Sequence, residues 1–218
     1  MSTAPDAVLF DLDGTLIDTE PLCEVVVREV CGEIGIEISA AWYETLVGTG
    51  WELMFDELAR GRDRATRDWI GQQVTKRYDI ALAADSYQVP GGAAFLEHLH
   101  RHVPVAIVTG STRRQLGQLV RQLGVADSLE FAIAEDEVTR SKPDPQCYEM
   151  AMARLGVLPW RTLVFEDSVA GITAAKAAGC RVVAVTCVNH CRQDQSAADH
   201  FVVDHSSLDI GWCRGLFA

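Results

Sequence analysis

Long apolar runs are missing from this chain of 218 residues: the longest, such as residues 103–108, are only strand-sized. A helix that crosses a bilayer takes about 20 apolar residues in a row, so no transmembrane span is expected. The opening Met1-Ser2-Thr3-Ala4-Pro5-Asp6 lacks a basic stretch followed by an apolar one, so no secretory leader is expected either. Basic residues are scarce, 19 Lys and Arg against 31 Asp and Glu, for a formal charge of −12. Such a surface repels phosphate backbones and anionic lipid, which argues against nucleic acid and membrane surfaces as partners. A small anionic substrate stays compatible with it if a metal ion or a cluster of donors reverses the field locally. Repeats and low-complexity tracts are absent. The seven cysteines are an odd number in a chain too large to need stapling. Cys180 and Cys187 sit in apolar, strand-like surroundings that suit reduced, buried thiols, so the expected compartment is the cytoplasm.

What is present is ordinary globular material, 48% apolar and 23% charged, in a length that suits one large domain or a core with a modest insertion. Short apolar runs at 7–10, 105–108, 131–134, 163–165, 182–185 and 201–203 read as buried parallel strands. Helical stretches at 112–123, 146–155 and 168–178 alternate with them, the last ending at Gly179, a residue suited to a left-handed C′ position. This alternation predicts an α/β fold, a doubly wound and mostly parallel sheet with helices on both faces and chemistry at the carboxyl ends of its strands. Residues 19–86 break the pattern with helical stretches at 22–34, 40–46, 51–58 and 64–80. They predict an all-helical cap inserted into a core of residues 1–18 and 87–218, hinged near 17–21 and 85–90. An insertion leaving the first strand's carboxyl end is placed to act as a lid.

Four places stand out for chemistry. Asp11 and Asp13 follow the first strand with one residue between them, so in extended backbone they share a face, and two such carboxylates repel unless a cation lies between. Thr109-Gly110-Ser111 follows the second core strand and opens a helix, where a hydroxyl and free N–H groups suit a phosphoryl oxygen. Lys142 stands in Arg140-Ser141-Lys142-Pro143-Asp144-Pro145, a loop that two prolines stiffen. Glu166-Asp167 follows the strand at 163–165, and together with Asp11 and Asp13 it makes an oxygen-ligand set of the kind magnesium favours. Alone, each of these also serves as a turn former, a helix cap or a solvated charge.

In order, Asp11-Leu12-Asp13-Gly14-Thr15, Thr109-Gly110-Ser111, Ser141-Lys142-Pro143-Asp144 and Phe165-Glu166-Asp167-Ser168-Val169-Ala170-Gly171 resemble the four motifs of the haloacid dehalogenase superfamily. The resemblance covers nearly the whole chain and is to the phosphatase and β-phosphoglucomutase branch, which has a helical cap. It implies a magnesium-dependent phosphatase acting on a small phosphorylated metabolite, with the protein a monomer or weak homo-oligomer. Asp11 would be the nucleophile and Asp13 the general acid and base. Asp11, the backbone carbonyl of Asp13, and Asp167 would hold Mg2+, with Glu166 in or next to that ligand set. Thr109, Gly110, Ser111 and Lys142 would cradle the transferred oxygens. The alternatives are a phosphomutase, a non-catalytic binding member, and a true dehalogenase, which in its branch lacks the second Asp.

The mutase pattern places a His in the first cap helix and an Arg in Leu-x-Gly-x-x-Arg. Cys23 and Trp51 stand at those places here, which favours hydrolysis unless Arg60, Arg62 or Lys76 supplies the missing cation. Gly48-Thr49-Gly50 is not a dinucleotide fingerprint, since Leu53 occupies the third glycine's place and no strand precedes it. Cys187, His190 and Cys191 lack the second ligand pair of a zinc finger. Trp42, Tyr43, Leu46, Trp51, Leu53, Met54 and Phe55 read as packing inside the cap.

Overall fold

Four apolar residues without polar alternation suit a strand covered on both faces, and Ala7–Phe10 forms one, β1, wholly buried. A computed structural model describes residues 4–47, 49–83, 87–190 and 192–218. Gly48, Asp85 and Cys191, singled out above, lie outside the described residues. After β1 come α1 (Glu20–Glu33), α2 (Ala40–Glu44), α3 (Trp51–Leu58) and α4 (Arg64–Leu82). The chain then builds α5 (Gly92–His100), β2 (Val105–Val108), α6 (Arg113–Leu123), β3 (Phe131–Ile133) and α7 (Gln146–Leu155). It finishes with β4 (Thr162–Glu166), α8 (Val169–Ala177), β5 (Arg181–Val185), β6 (His200–Val202) and α9 (Ile210–Gly215).

Among the described residues the strands form one sheet in the order β3-β2-β1-β4-β5-β6, every pair parallel. This is the doubly wound α/β fold read from the alternation. Side chains of β1 alternate between two cores: Val8 and Phe10 join the cluster that includes Phe95 and Leu116, while Leu9 packs with Tyr148 of α7 and Ile172 of α8. The strand order reverses at β1, and in such a sheet the crevice beyond the carboxyl ends at this switch point is where ligands bind.

The helical insertion leaves and rejoins the sheet through two connectors that run side by side. Ile17 bridges Gln88 in antiparallel fashion, the Asp18 N–H donates to the Tyr87 carbonyl at 2.6 Å, and the Val89 N–H to the Leu16 carbonyl at 2.9 Å.

Three local expectations need correction. Glu166 is the last residue of β4, not the residue after it, and it is wholly buried. Cys187 lies in a turn beyond β5 and is exposed, since in that turn it is Val188 that is buried. Leu53 is 44% exposed on the outer side of α3. Gly179 follows α8 with φ +82°, as its C′ reading requires.

His205, in the C-terminal segment, is buried against the rings of Phe10, Phe95 and Phe165. Its Nε2 donates to the Thr15 carbonyl at 2.9 Å and so braces the loop after β1. Burial holds this imidazole below its usual pKa, so it is neutral in the fold. Stability tied to it is therefore present at neutral pH and lost as pH falls below about 6.5, where the unfolded chain binds the proton first. Melting curves from pH 7.5 to 5 should show a shallower acid loss in His205→Gln than in the wild type.

Candidate active site

The four predicted sites sit at the carboxyl ends of adjacent strands. Asp11 follows β1 and is anchored by its N–H to the Phe165 carbonyl at 3.0 Å, while the Thr109 N–H bonds the Ile133 carbonyl at 3.0 Å. Lys142 reaches between β1 and β4 from the loop beyond β3. Its ammonium lies 2.6 Å from Asp11 Oδ1, 2.6 Å from Glu166 Oε1 and 3.2 Å from the Val108 carbonyl, and all three side chains are buried. Burial alone would depress the ammonium's pKa, but the Asp11 and Glu166 carboxylates outweigh it and hold Lys142 charged. Tyr148 donates to Glu166 Oε1 at 2.9 Å, and Glu166 Oε2 accepts from the N–H groups of Asp167 and Ser168 and the Ser168 hydroxyl at 3.0–3.1 Å.

Asp13 points across the mouth of this floor. Its Oδ2 accepts from the Ser111 hydroxyl at 2.7 Å and the Thr109 hydroxyl at 3.1 Å; its Oδ1 accepts from the Thr19 hydroxyl at 2.8 Å. Gly14, at φ +84°, turns the chain tightly enough that a Cβ there would overlap the Asp167 carboxylate. The Thr15 hydroxyl donates to Asp167 Oδ1 at 3.3 Å. Every residue predicted for the site thus faces one small region, Lys142 and Glu166 from beneath it.

That region is a cavity of about 70 Å³. Asp11, Asp13, Thr109, Gly110, Ser111 and Asp167 form its lower wall. Thr19, Glu20, Cys23, Trp51, Met54 and Tyr78 form much of the upper wall, with Val47 and Thr49 beside them. Cys23 and Trp51 therefore stand in the cavity wall, where the mutase pattern would need cations. Arg60, Arg62 and Lys76 are exposed and do not line it.

Sequence reasoning missed the seam that closes the insertion over the sheet. Glu135, buried just beyond β3, accepts from the first N–H groups of α3: Trp51 N–H at 2.9 Å and Glu52 N–H at 3.3 Å. It caps that helix from another part of the chain. Gly50 makes the approach possible, since a Cβ there would overlap the Glu135 carboxylate. The Trp51 indole donates to Gln115 Oε1 at 2.8 Å, and Gln115 also closes the capping box of α6 with Thr112. Helix caps of this kind are worth about 1 kcal/mol, or roughly a fivefold change in population. Glu135→Ala should therefore speed hydrogen exchange of the Trp51 and Glu52 amides about fivefold or more, and unchanged protection would show that the seam does not depend on this carboxylate.

One ammonium faces three buried carboxylates here, and the oxygens of Asp11, Glu166 and Asp167 lie within 4.8 Å of one another. Burial, reinforced by their neighbours' negative charge, pushes Asp11 and Asp167 well above the usual carboxylate range, despite the nearby Lys142. An all-oxygen set so short of positive charge fits a hard divalent cation such as magnesium.

Both the sequence and the fold have known relatives. The family model for haloacid dehalogenase-like hydrolases matches residues 5–179. The fructose-1-phosphate phosphatase YqaB of Escherichia coli (strain K12) is 30% identical over 179 residues, covering 82% of this chain and 95% of that protein. A phosphoglycolate phosphatase of Pseudomonas putida is 32% identical over 215 residues, covering 93% and 77% respectively. The crystal structure of a β-phosphoglucomutase from Clostridium difficile superposes with a TM-score of 0.84 over 98% of this chain and 97% of that one, at 20% identity, a likeness of fold.

Proposed function

The chain belongs to the haloacid dehalogenase-like hydrolases, and from that membership we propose that it is a magnesium-dependent phosphatase releasing phosphate from a small phosphorylated metabolite through an aspartyl-phosphate at Asp11. The observation that carries this reading is the convergence of Asp11, Asp13, Asp167 and the charged Lys142 from separate strand ends around one cavity. Residues 1–18 and 87–218 act as the catalytic core, and residues 19–86 as a cap whose closure shuts water out.

In this scheme a carboxylate oxygen of Asp11 attacks phosphorus in line, forming one P–O bond as the ester P–O bond breaks. Asp13 gives its proton to the departing alkoxide and later takes one from the water that opens the aspartyl-phosphate. The Thr109 hydroxyl, the Gly110 N–H, Ser111 and Lys142 hold the transferred oxygens, and donors fixed in this way strengthen most where charge develops. Asp11, the Asp13 carbonyl and Asp167 would hold magnesium, with Glu166 beside them, and the ion would supply the positive charge that lets a phosphoryl group approach a carboxylate. Glu166, whose two oxygens already accept five hydrogen bonds, chiefly holds Lys142 and the start of α8 in place.

The upper wall of the cavity supports hydrolysis over mutase chemistry. Cys23 and Trp51 cannot grip a second phosphate as a His and an Arg would, and arginine's bidentate fork has no indole substitute.

The test is p-nitrophenyl phosphate turnover that requires magnesium and stops on chelation. Equal turnover after chelation would remove the metal from the scheme, and no turnover would favour a non-catalytic member. In Asp13→Asn, ordinary alkyl esters should lose about tenfold or more relative to p-nitrophenyl phosphate, whose leaving group needs little protonation, and the phosphoenzyme should accumulate. Equal losses on both ester types would take Asp13 out of the acid's role.

A further inference from the structure

Resting on the phosphatase reading, we infer that Glu20 sets the substrate class: the leaving group carries hydroxyl or ammonium donors and no second anionic group. Among the described residues, no Lys, Arg or His contributes to the upper wall, and Glu20 is its one ionisable acid from the helical insertion. Its Oε1 is buried without a hydrogen bond of good geometry; the Tyr43 hydroxyl beside it interacts with the carboxyl and offsets only part of the effect of burial. A buried acceptor so poorly paired costs free energy that a donor on the bound molecule recovers. Burial pushes the Glu20 carboxyl up to about 7, the state of an acid that no cation stabilises.

The rest of this wall adds no counter-charge. Tyr78 and Thr19 both lean toward Asp13, at 3.5 Å and 2.8 Å, so their hydroxyls are committed to a carboxylate. Trp51 gives its indole N–H to Gln115 and packs on the rings of Phe55 and Tyr78, so it offers an anion no donor. A carboxylate or second phosphate arriving here would face Glu20 and Asp13 without a cation, a repulsive element that discriminates as strongly as an attractive one. A polyol or amine would instead satisfy Glu20. The fructose-1-phosphate and phosphoglycolate named for two relatives fall on opposite sides of this line, since the first bears hydroxyls beyond its phosphate and the second a carboxylate.

The experiment uses size-matched pairs at pH 8 as competitors of p-nitrophenyl phosphate turnover by the full chain with magnesium: glycerol 3-phosphate against 3-phosphoglycerate, and phosphoethanolamine against phosphoglycolate. The donor-bearing member of each pair should compete at least about tenfold more strongly, and Glu20→Gln, which keeps the shape and removes the charge, should shrink that ratio severalfold. Reading each variant as a ratio cancels a general loss of activity. Equal competition within the pairs, preference for the carboxylates, no competition by any of the four, or a ratio unmoved in Glu20→Gln would overturn the assignment. Absence of p-nitrophenyl phosphate turnover in the wild type would overturn the phosphatase reading itself, and this inference with it.

Discussion

Asp11→Asn is expected to lower phosphate release by at least about four orders of magnitude while leaving the protein as stable as the wild type, or more so. An amide forms no acyl-phosphate, so no partial route through the same atom remains, and losing a nucleophile removes most of the catalysis that acts through it. The stability argument runs the other way. Burial raises the Asp11 carboxyl well above its usual range, with Glu166 and Asp13 adding to the effect of burial. A group raised in this way contributes stability that is present below its unfolded pKa and is lost as pH climbs through its folded value. Asparagine carries no such loss. Without metal, the variant's melting temperature should therefore gain on the wild type as pH rises above about 4, and magnesium should narrow the gap by compensating the wild-type carboxylates. Substantial turnover in this variant would remove Asp11 from the nucleophile's role.

Lys142→Met should be damaging in both respects. The ammonium is the sole cation bonded to Asp11 and Glu166 among the described residues, and it is 4% exposed. Deleting the shared cation of a buried cluster typically costs about 3–5 kcal/mol, because two carboxylates then stay buried without compensation, whereas the loss of Asp11 still leaves the ammonium paired with Glu166. For a chain of this size that corresponds to a fall in melting temperature of roughly 6–20 °C. Turnover should drop about 100-fold or more, the usual consequence of losing one fixed donor to a developing oxyanion. Lys142→Arg should not rescue it, since a guanidinium is larger than the slot between Asp11, Glu166 and the Tyr148 ring, whose centroid is 5.3 Å from the ammonium. A melting temperature unchanged in Lys142→Met would show that the buried carboxylates do not rely on this ammonium.

Much of the floor of the site could be read before the fold was seen, because its residues lie next to strand ends and the strands announce themselves. β1 and β2 match the apolar runs at 7–10 and 105–108 residue for residue, and their alternation with helices points to the carboxyl ends of the strands as the place for chemistry. The seam could not be read in the same way. Glu135 stands in the run Glu135-Asp136-Glu137, which looks like a solvated acidic turn, and its partners Trp51 and Glu52 are more than 80 residues away. Gln115 looks like an ordinary capping residue until Trp51 arrives over it. Glu20 is hidden for a related reason: in sequence it is one acid at the start of a helix, favourable with the dipole, and only the cavity reveals its buried, poorly paired oxygen. Cys187 is exposed although its neighbour Val188 is buried, because a turn sends successive side chains in different directions.

The paired connectors at Ile17 and Gln88 carry a further meaning. To the sheet, the whole helical insertion is joined through the width of a hairpin, with its entry and exit held together by the Asp18–Tyr87 and Leu16–Val89 hydrogen bonds. What lies beyond that doorway can lengthen, shorten or be exchanged without stretching any strand, much as a tool head is changed on one handle. The phosphoryl-handling end and the end that meets the rest of the molecule are therefore free to drift apart in sequence at different rates, and a foreign insertion with the same narrow base would be the natural graft with which to give this sheet a new clientele.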